Sequence, residues 1–447
     1  MEICIIGTGY VGLVTGTCLA EVGHRVVCVD DDREKMAILN RGELPIFEPG
    51  LDVLVARNRR EGRLSFTTDL KEGIEAAAVI FICVGTPPLE DGDADLSAVE
   101  QVVRRIGELS SAYKLVVEKS TVPVQTGTWI EKTLKVYKGD EDARFDVASN
   151  PEFLREGSAI EDFLHPDRIV VGVEHRRAEQ LLRELYEPIV NHAFTCPIQS
   201  RCVKAGPVPF LVTDIKSAEL IKHASNSFLA TKISFINSVA DLCELVGADI
   251  ELVAEGMGLD RRIGRSFLNA GLGFGGFCFP KDLQAFVKIA EKCGYDFRLL
   301  QEVDRINQSR ISQAIKKLKD QLWILKDKII GVWGLAFKPD TDDVRYSPSL
   351  ALITRLLAEG VTVKAYDPKA MERARQQLPS LVCCQDPYEA ASGADALVVA
   401  TEWKEFAGLD LTRVKTLMRR PVLLDGRNLF DRQKMKAMGF EYLGMGR

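Results

Sequence analysis

Cys278 lies in the run Gly273-Phe-Gly-Gly-Phe-Cys-Phe-Pro-Lys-Asp282, and the chain opens on a glycine loop, Gly7-Thr-Gly9-Tyr-Val-Gly12. A dinucleotide alone can take a hydride from an alcohol and leave a carbonyl. A thiolate that adds to that carbonyl allows a second hydride to leave, giving a thioester that water opens to an acid. Other residues could serve such chemistry. Glu152 and Glu156 stand four residues apart behind an apolar run, and Lys222 and Asn226 share the same spacing. In a helix that spacing puts both side chains on one face. Lys281 and Asp282 follow the cysteine closely.

The glycine loop follows an apolar run and opens an amphipathic one. Its glycines permit a tight turn and a close approach of pyrophosphate to a helix N-terminus. Asp30 closes the next apolar run, about 20 residues on, where a carboxylate accepts from a ribose 2′-hydroxyl. Asp31 and Asp32 follow, with Arg33 beyond them. A 2′-phosphate would meet three negative charges there, so NAD is favoured over NADP. Thr86 and Thr121 stand in Gly85-Thr-Pro-Pro88 and Lys119-Ser-Thr-Val-Pro123 at the ends of further apolar runs. In an open α/β sheet that is where the ligand crevice lies.

The positioning elements follow from periodicity. Strands are predicted at 2–6, 25–30, 79–84, 115–118, 145–149 and 169–173, with a helix at 10–22 and helices or loops between the other strands. This alternation implies a mainly parallel sheet covered on both faces. The segment 196–212 contains Gly206-Pro-Val-Pro209 and reads as a linker. From Asp214 on, Leu220, Ile221, Ala224, Phe228, Ile236, Val239, Ala240, Cys243 and Val246 recur at helical spacing. A helix that long packs against more than one body and suits a dimer interface. Strands at 328–333, 361–366, 396–400 and 422–425, with a helix near 348–359, make the last third a second α/β unit. The expected fold is α/β, with two Rossmann-like doubly wound parallel-sheet domains joined by a long central helix. The expected division is a dinucleotide domain at 1–205, a helical region carrying the cysteine at 206–315, and a second α/β domain at 316–447.

Composition fits this picture. The 447 residues allow two or three domains at about 150 residues each. With 46% apolar and 27% charged residues and a net charge of −6, the chain is an ordinary globular sequence without a nucleic-acid footprint. No leader pattern and no apolar stretch near 18 residues is present, so neither export nor a membrane span is expected. The 11 cysteines include no CxxC pair. They read as reduced, mostly buried side chains of a cytoplasmic protein, with no metal site expected.

The sequence resembles the nucleotide-sugar dehydrogenases that oxidise twice at one carbon, the UDP-glucose/GDP-mannose dehydrogenase family. The matching stretches are GTGYVG (7–12), IFEPGL (46–51), VGTPP (84–88), KSTVPV (119–124), SNPEFLREGSAIEDFLHPDRIVVG (149–172), KSAEL (216–220), KHASNSFLATKISFIN (222–237), RIGRSFLNAG (262–271), GFGGFCFPKD (273–282) and GLAFKPDTDDVRYSPS (334–349). They run in the family's order through nearly the whole chain. Three positions depart from the pattern: Phe277 stands where a serine is usual, Gln125 where a glycine is common, and Ser238 where many relatives have a glutamate.

The resemblance implies a set of roles. Cys278 is the nucleophile, favoured as thiolate by cations such as Lys281. Lys222 and Asn226 steady developing oxyanions, Asp282 and Thr121 hold water, and Glu152 is the acid/base of thioester hydrolysis. NAD is implied on Gly7, Gly9, Tyr10, Val11, Gly12, Asp30, Lys35, Thr86, Thr121, Glu156, Lys281 and Arg345. The nucleotide-sugar is implied on Glu152, Phe153, Leu154, Arg155, Lys222, Asn226, Phe267, Leu268, Asn269, Ala270, Gly271, Gly275, Phe337 and Lys338. Arg262 would reach substrate across a homodimer interface, and closure between the α/β units would exclude water during hydride transfer. The wording FCFPKD and FKPDTDDVR leans toward UDP-glucose, oxidised at C6 to UDP-glucuronate, over GDP-mannose or UDP-N-acetylmannosamine. Single-oxidation dehydrogenases share the glycine loop but lack a nucleophilic cysteine in this setting. A sensor that binds both ligands without turnover is the non-enzyme alternative. It is disfavoured because Thr121, Glu152, Lys222, Asn226, Cys278 and Asp282 occur together.

Overall fold

Alternate residues of the first strands bury into opposite faces of one sheet. Ile3 and Ile5 join one apolar cluster, while Cys4 and Ile6 join another. Val79 and Phe81 against Ile80 and Ile82 repeat the split. Strands covered on both faces need apolar side chains at every position, which is why they read as unbroken runs. Each fully buried aliphatic side chain contributes roughly 1.5–3 kcal/mol.

The structure is a computed structural model and describes residues 1–90, 92–138, 144–197 and 206–447. Two compact units divide the chain, Met1–Ser225 and Asn226–Arg447. In the first unit the strands are β1 (Glu2–Ile6), β2 (Arg25–Val29), β3 (Leu64–Thr67), β4 (Val79–Ile82), β5 (Lys114–Glu118), β6 (Phe145–Ser149), β7 (Ile169–Val173) and β8 (Phe210–Thr213). They form one sheet of order β3-β2-β1-β4-β5-β6-β7-β8. Its described pairings are parallel except that of β6 with β7.

The second unit holds β9 (Ile329–Trp333), β10 (Thr362–Tyr366), β11 (Val382–Cys383), β12 (Ala396–Val399), β13 (Val422–Asp425) and β14 (Glu441–Gly444). Their order is β11-β10-β9-β12-β13-β14, with parallel pairing throughout. By chain order this sheet repeats the 3-2-1-4-5-6 arrangement of a dinucleotide fold, as do the first six strands of the other. Trp333 anchors its core, with the indole nitrogen donating to the Pro387 carbonyl at 2.9 Å. The second unit also contains helices 250–258, Cys278–Lys292 and Arg298–Leu322. The helix Ile215–Val246 runs unbroken across the boundary between the units.

Two sequence expectations need correction. The segment 196–212 is not wholly a linker: Phe210–Thr213 pairs with β7 as the last strand of the sheet. It is a half-exposed edge strand behind Pro207 and Pro209, and prolines are tolerated at a strand's start and on edges. The part of that segment at 198–205 lies outside the described residues. The cysteines are also not uniformly reduced. Among the described residues nine are free, including the buried Cys4, Cys28 and Cys83, but Cys196 is disulfide-bonded. Among the described residues no helix is long and apolar enough to cross a membrane.

Candidate active site

The glycine loop has the geometry a pyrophosphate needs. Gly7 adopts φ 97°, and a Cβ there would press on the Cys83 carbonyl at 2.7 Å. A Cβ on Gly12 would run into the Gly7 carbonyl oxygen, so the turn closes only with glycine. A Cβ on Gly9, by contrast, would meet nothing within 4 Å. Gly9 also caps the helix Tyr10–Glu21 without a side-chain hydrogen bond. That leaves open space above first-turn N–H groups, as an anion requires.

At the end of β2, Asp30 Oδ2 accepts from the Thr8 amide at 2.7 Å, the Thr8 hydroxyl at 2.8 Å and Lys35 Nζ at 2.9 Å. Burial works to raise this carboxyl's pKa, but the hydrogen bonds from Thr8, Lys35 and Asp32 hold it below the usual carboxylate value. An ionised acceptor is thus fixed where a ribose hydroxyl would be read. These features fit NAD on the first unit. Thr86 Oγ1 donates to the Thr121 carbonyl at 2.8 Å, tying two strand-end loops together.

Glu48, which carried no role in the sequence reading, braces this region. Its carboxylate pairs with the Tyr10 hydroxyl and accepts from the Gly157 amide at 2.6 Å and the Ala159 amide at 2.7 Å. The one signal for it was its place in the IFEPGL stretch.

Still in the first unit, Glu152 and Lys222 form a preassembled pair. Lys222 Nζ donates to Glu152 Oε1 at 2.6 Å and to the Glu152 carbonyl at 2.7 Å, with both side chains about 5% exposed. The other carboxylate oxygen accepts from the Leu154 amide at 2.6 Å. Phe153 lies beside it, its ring centroid 5.6 Å from Lys222 Nζ and 3.6 Å from the Arg168 guanidinium. Arg155 is turned to Asp162, which holds both its amide and its guanidinium.

The second unit carries the thiol. Cys278 is the first residue of the helix Cys278–Lys292, at the positive end of its dipole. One turn on, Asp282 is fully buried and accepts from Asn226 Nδ2 at 2.6 Å, while Lys281 Nζ stands 3.5 Å from its other oxygen. The unexpected Phe277 presents its ring to two cations, with the Arg345 guanidinium 4.4 Å and Lys281 Nζ 5.3 Å from the centroid. Asp343 holds the Arg345 fork, and the Gly276 amide donates to the Arg345 carbonyl at 3.1 Å. A Cβ on Gly275 would strike the Tyr346 carbonyl, and one on Gly276 would meet the Phe337 ring at 2.7 Å. The glycines at 275 and 276 therefore let the cysteine loop seat against the 334–349 stretch, which also carries Lys338.

Two residues missed in sequence, Asn237 and Arg310, hold the loop 267–271. The Gly271 amide donates to Asn237 Oδ1 at 2.9 Å, and buried Arg310 donates to the Gly271 carbonyl at 3.2 Å. Leu268 and Ala270 are buried, Phe267 takes φ 65°, and Asn269 accepts from Arg265. Arg262 is 89% exposed and forked onto Asp260, away from these groups. Ser238 bonds its own helix at the Ser234 carbonyl.

A glycine-loop sheet with a polar acceptor at its second strand, and a second sheet of the same order, define a protein of two Rossmann-like domains, the first built for a dinucleotide. Three models of the UDP-glucose/GDP-mannose dehydrogenase family match the chain: the NAD binding domain over 1–190, the central domain over 216–309 and the UDP binding domain over 331–432. A UDP-glucose 6-dehydrogenase of Rhizobium meliloti is 47% identical over 451 residues, covering 100% of both chains. A solved UDP-glucose dehydrogenase from the archaeon Pyrobaculum islandicum matches at TM-score 0.89 and 40% identity over 99% of this chain and 97% of its own. A UDP-D-ManNAc dehydrogenase from Pyrococcus horikoshii has the same fold, at TM-score 0.85 and 28% identity, over 100% of this chain and 99% of its own. The chain belongs to the UDP-glucose/GDP-mannose dehydrogenase family and is an NAD-dependent dehydrogenase.

Proposed function

We propose that this chain oxidises UDP-glucose twice at C6, to UDP-glucuronate, through a thiohemiacetal and then a thioester on Cys278. The observation that carries this reading is the thiol at a helix N-terminus with Asp282, Asn226 and Lys281 arrayed behind it. The higher identity to UDP-glucose enzymes than to the UDP-D-ManNAc enzyme supports the choice of sugar. NAD, when bound, supplies the acceptor for each of the two hydrides. Gly7, Gly9, Tyr10, Val11 and Gly12 would hold its pyrophosphate and Asp30 its ribose, with Lys35, Thr86, Glu156 and Arg345 around it.

In the first oxidation the C6 hydroxyl gives its proton to water as the hydride leaves, and the ammonium of Lys222 and the amide of Asn226 stabilise the developing oxyanion. The Cys278 thiolate then adds to the aldehyde carbon. After the second hydride leaves, a water attacks the thioester. Glu152 takes that water's proton, the carbon–sulfur bond breaks, and the acid departs with the thiolate restored. Asp282 and Thr121 hold the water.

On this reading residues 1–205 hold NAD, 206–315 carry the thiol, and 316–447 hold the nucleotide-sugar with Lys338 and the 267–271 loop. Phe228, Phe235 and Leu242, seven residues apart, are 65%, 51% and 57% exposed. That stripe is the face we assign to a second copy of the chain, to whose site Arg262 would reach. The nine free thiols among the described residues support a cytoplasmic setting, to which the Cys196 disulfide is an exception.

The test is incubation with UDP-glucose and excess NAD, counting NADH per sugar and weighing the product. Two NADH and UDP-glucuronate are expected. One NADH with an aldehyde would make Cys278 a bystander, and turnover of GDP-mannose alone would overturn the choice of sugar.

A further inference from the structure

The KSTVPV stretch entered the site only through Thr121, yet its lysine is the more unusual residue. Lys119 follows β5 directly and is 4% exposed. Its hydrogen bonds go to one residue: Nζ donates to Asn150 Oδ1 at 3.0 Å and to the Asn150 carbonyl at 3.3 Å. Tyr186 donates its hydroxyl to the same Oδ1 at 2.5 Å, and Asn150 Nδ2 donates to the Val170 carbonyl at 2.8 Å. The rings of Phe81 and Phe163 each lie 5.9 Å from the ammonium, within cation–π range.

A buried ammonium is costly, and a neutral side chain of the same length would fill this place without the desolvation penalty. The charge therefore calls for a use, and its surroundings supply one. Asn150 opens the turn Asn150-Pro151-Glu152, so whatever fixes Asn150 fixes the approach of the Glu152 carboxylate. Lys119, Asn150, Glu152 and Tyr186 also line one cavity of about 40 Å³. A cavity of that size has room for a water, which needs only ~10–15 Å³ of such space, and these four residues offer it polar partners. Burial brings the Lys119 ammonium down to about 8, with Cys83 and Glu152 pulling it up and Lys222 pushing it further down. The lysine thus feels both members of the Glu152–Lys222 pair.

We propose that Lys119 is a positioning residue for thioester hydrolysis: through Asn150 it sets the turn that carries Glu152, and with Glu152 it holds a water in the cavity behind that carboxylate. This rests on the reading of Glu152 as the acid/base. It predicts its largest effect on hydrolysis, the step in which Glu152 acts as acid/base, and a smaller one on sugar binding, since Phe153 and Leu154 also line the cavity.

The test is Lys119→Met in the full chain, beside Tyr186→Phe and Glu152→Gln, with thermal melting as a check on folding. NADH from the first turnover is followed by stopped flow, and enzyme quenched during turnover is weighed for a sugar adduct. Lys119→Met is expected to change the first-turnover NADH and the KM for UDP-glucose by no more than a few-fold. Acid formation should fall about 10- to 100-fold, and the covalent adduct should accumulate. Tyr186→Phe should show the same adduct more weakly, and it decides the matter if Lys119→Met does not fold. Equal slowing of every step, or no adduct in the variant that folds, would overturn the proposal. Glu152→Gln separates the two readings. If it accumulates adduct while Lys119→Met does not, only the role of Lys119 falls; if it does not, Glu152 falls and the proposal with it.

Discussion

The chain contains the same turn twice, put to different use. In the first unit β1 ends on Gly7 at φ 97°, and in the second β9 ends on Gly334 at φ 95°. Each turn faces a carboxylate just past the neighbouring strand, Asp30 after β2 and Asp367 after β10. Asp30 keeps 9% exposure and binds only one residue of its turn, Thr8. Asp367 is fully buried and accepts from the amides of Leu335, Ala336, Lys369 and Ala370 and from the Trp403 indole. Where the first unit leaves open space above Gly9, the second packs Leu335 and Ala336 at 0% exposure. Its next helix begins only at Pro348, so the intervening loop is free to carry Phe337, Lys338 and Arg345. One topology thus offers an open glycine turn in the first unit and a self-satisfied turn with a long loop in the second. On the proposed reading the two units differ in function through the loop after the first strand of each sheet, not through the sheet order.

The largest effect that would test this division of labour is at the thiol. Cys278→Ser should retain NAD binding in the first unit while acid formation falls at least ~10³-fold, about 4 kcal/mol of barrier. Acid made at a near-normal rate would remove the covalent route. Next comes the cradle itself. The Cβ added by Gly9→Val meets no protein atom within 4 Å, so melting should change little while NAD affinity, measured by calorimetry, drops about 100-fold, or ~2.7 kcal/mol. Ala336→Gly in the second turn should leave that affinity alone; a loss there would mean the two turns share the dinucleotide. Asp367→Asn should do the reverse of Gly9→Val, costing about 1–3 kcal/mol of stability in denaturant titrations without changing NAD affinity.

The smallest effect is at Gln125. It holds φ 86° and donates its amide to Glu219 at 2.7 Å, so the common glycine suits the backbone better than the side chain present. Gln125→Gly should stabilise by about 0.5 kcal/mol, the relief of left-handed strain less the extra chain entropy. Destabilisation would show that the glutamine side chain has contacts of its own to lose.

Much of this was legible in sequence because its signals are local. Unbroken apolar runs marked the doubly covered strands, and glycines marked turns that no side chain can enter. The helical repeat from Leu220 to Val246 marked the long helix. The edge strands β3, β8, β11 and β14 were not anticipated, since they are short or half-exposed and owe their form to a neighbour. The site divides in the same way. The sequence determined which groups are present, the thiol, the two carboxylates, the lysines and Asp30, because residue type and spacing carry that information. Only tertiary structure paired Glu152 with Lys222 across 70 positions, set Phe277 between Arg345 and Lys281, and gave Glu48, Asn237 and Arg310 their bracing roles. Hydrogen bonds and ion pairs between distant residues depend on where the backbone brings them, and spacing along the chain does not encode that.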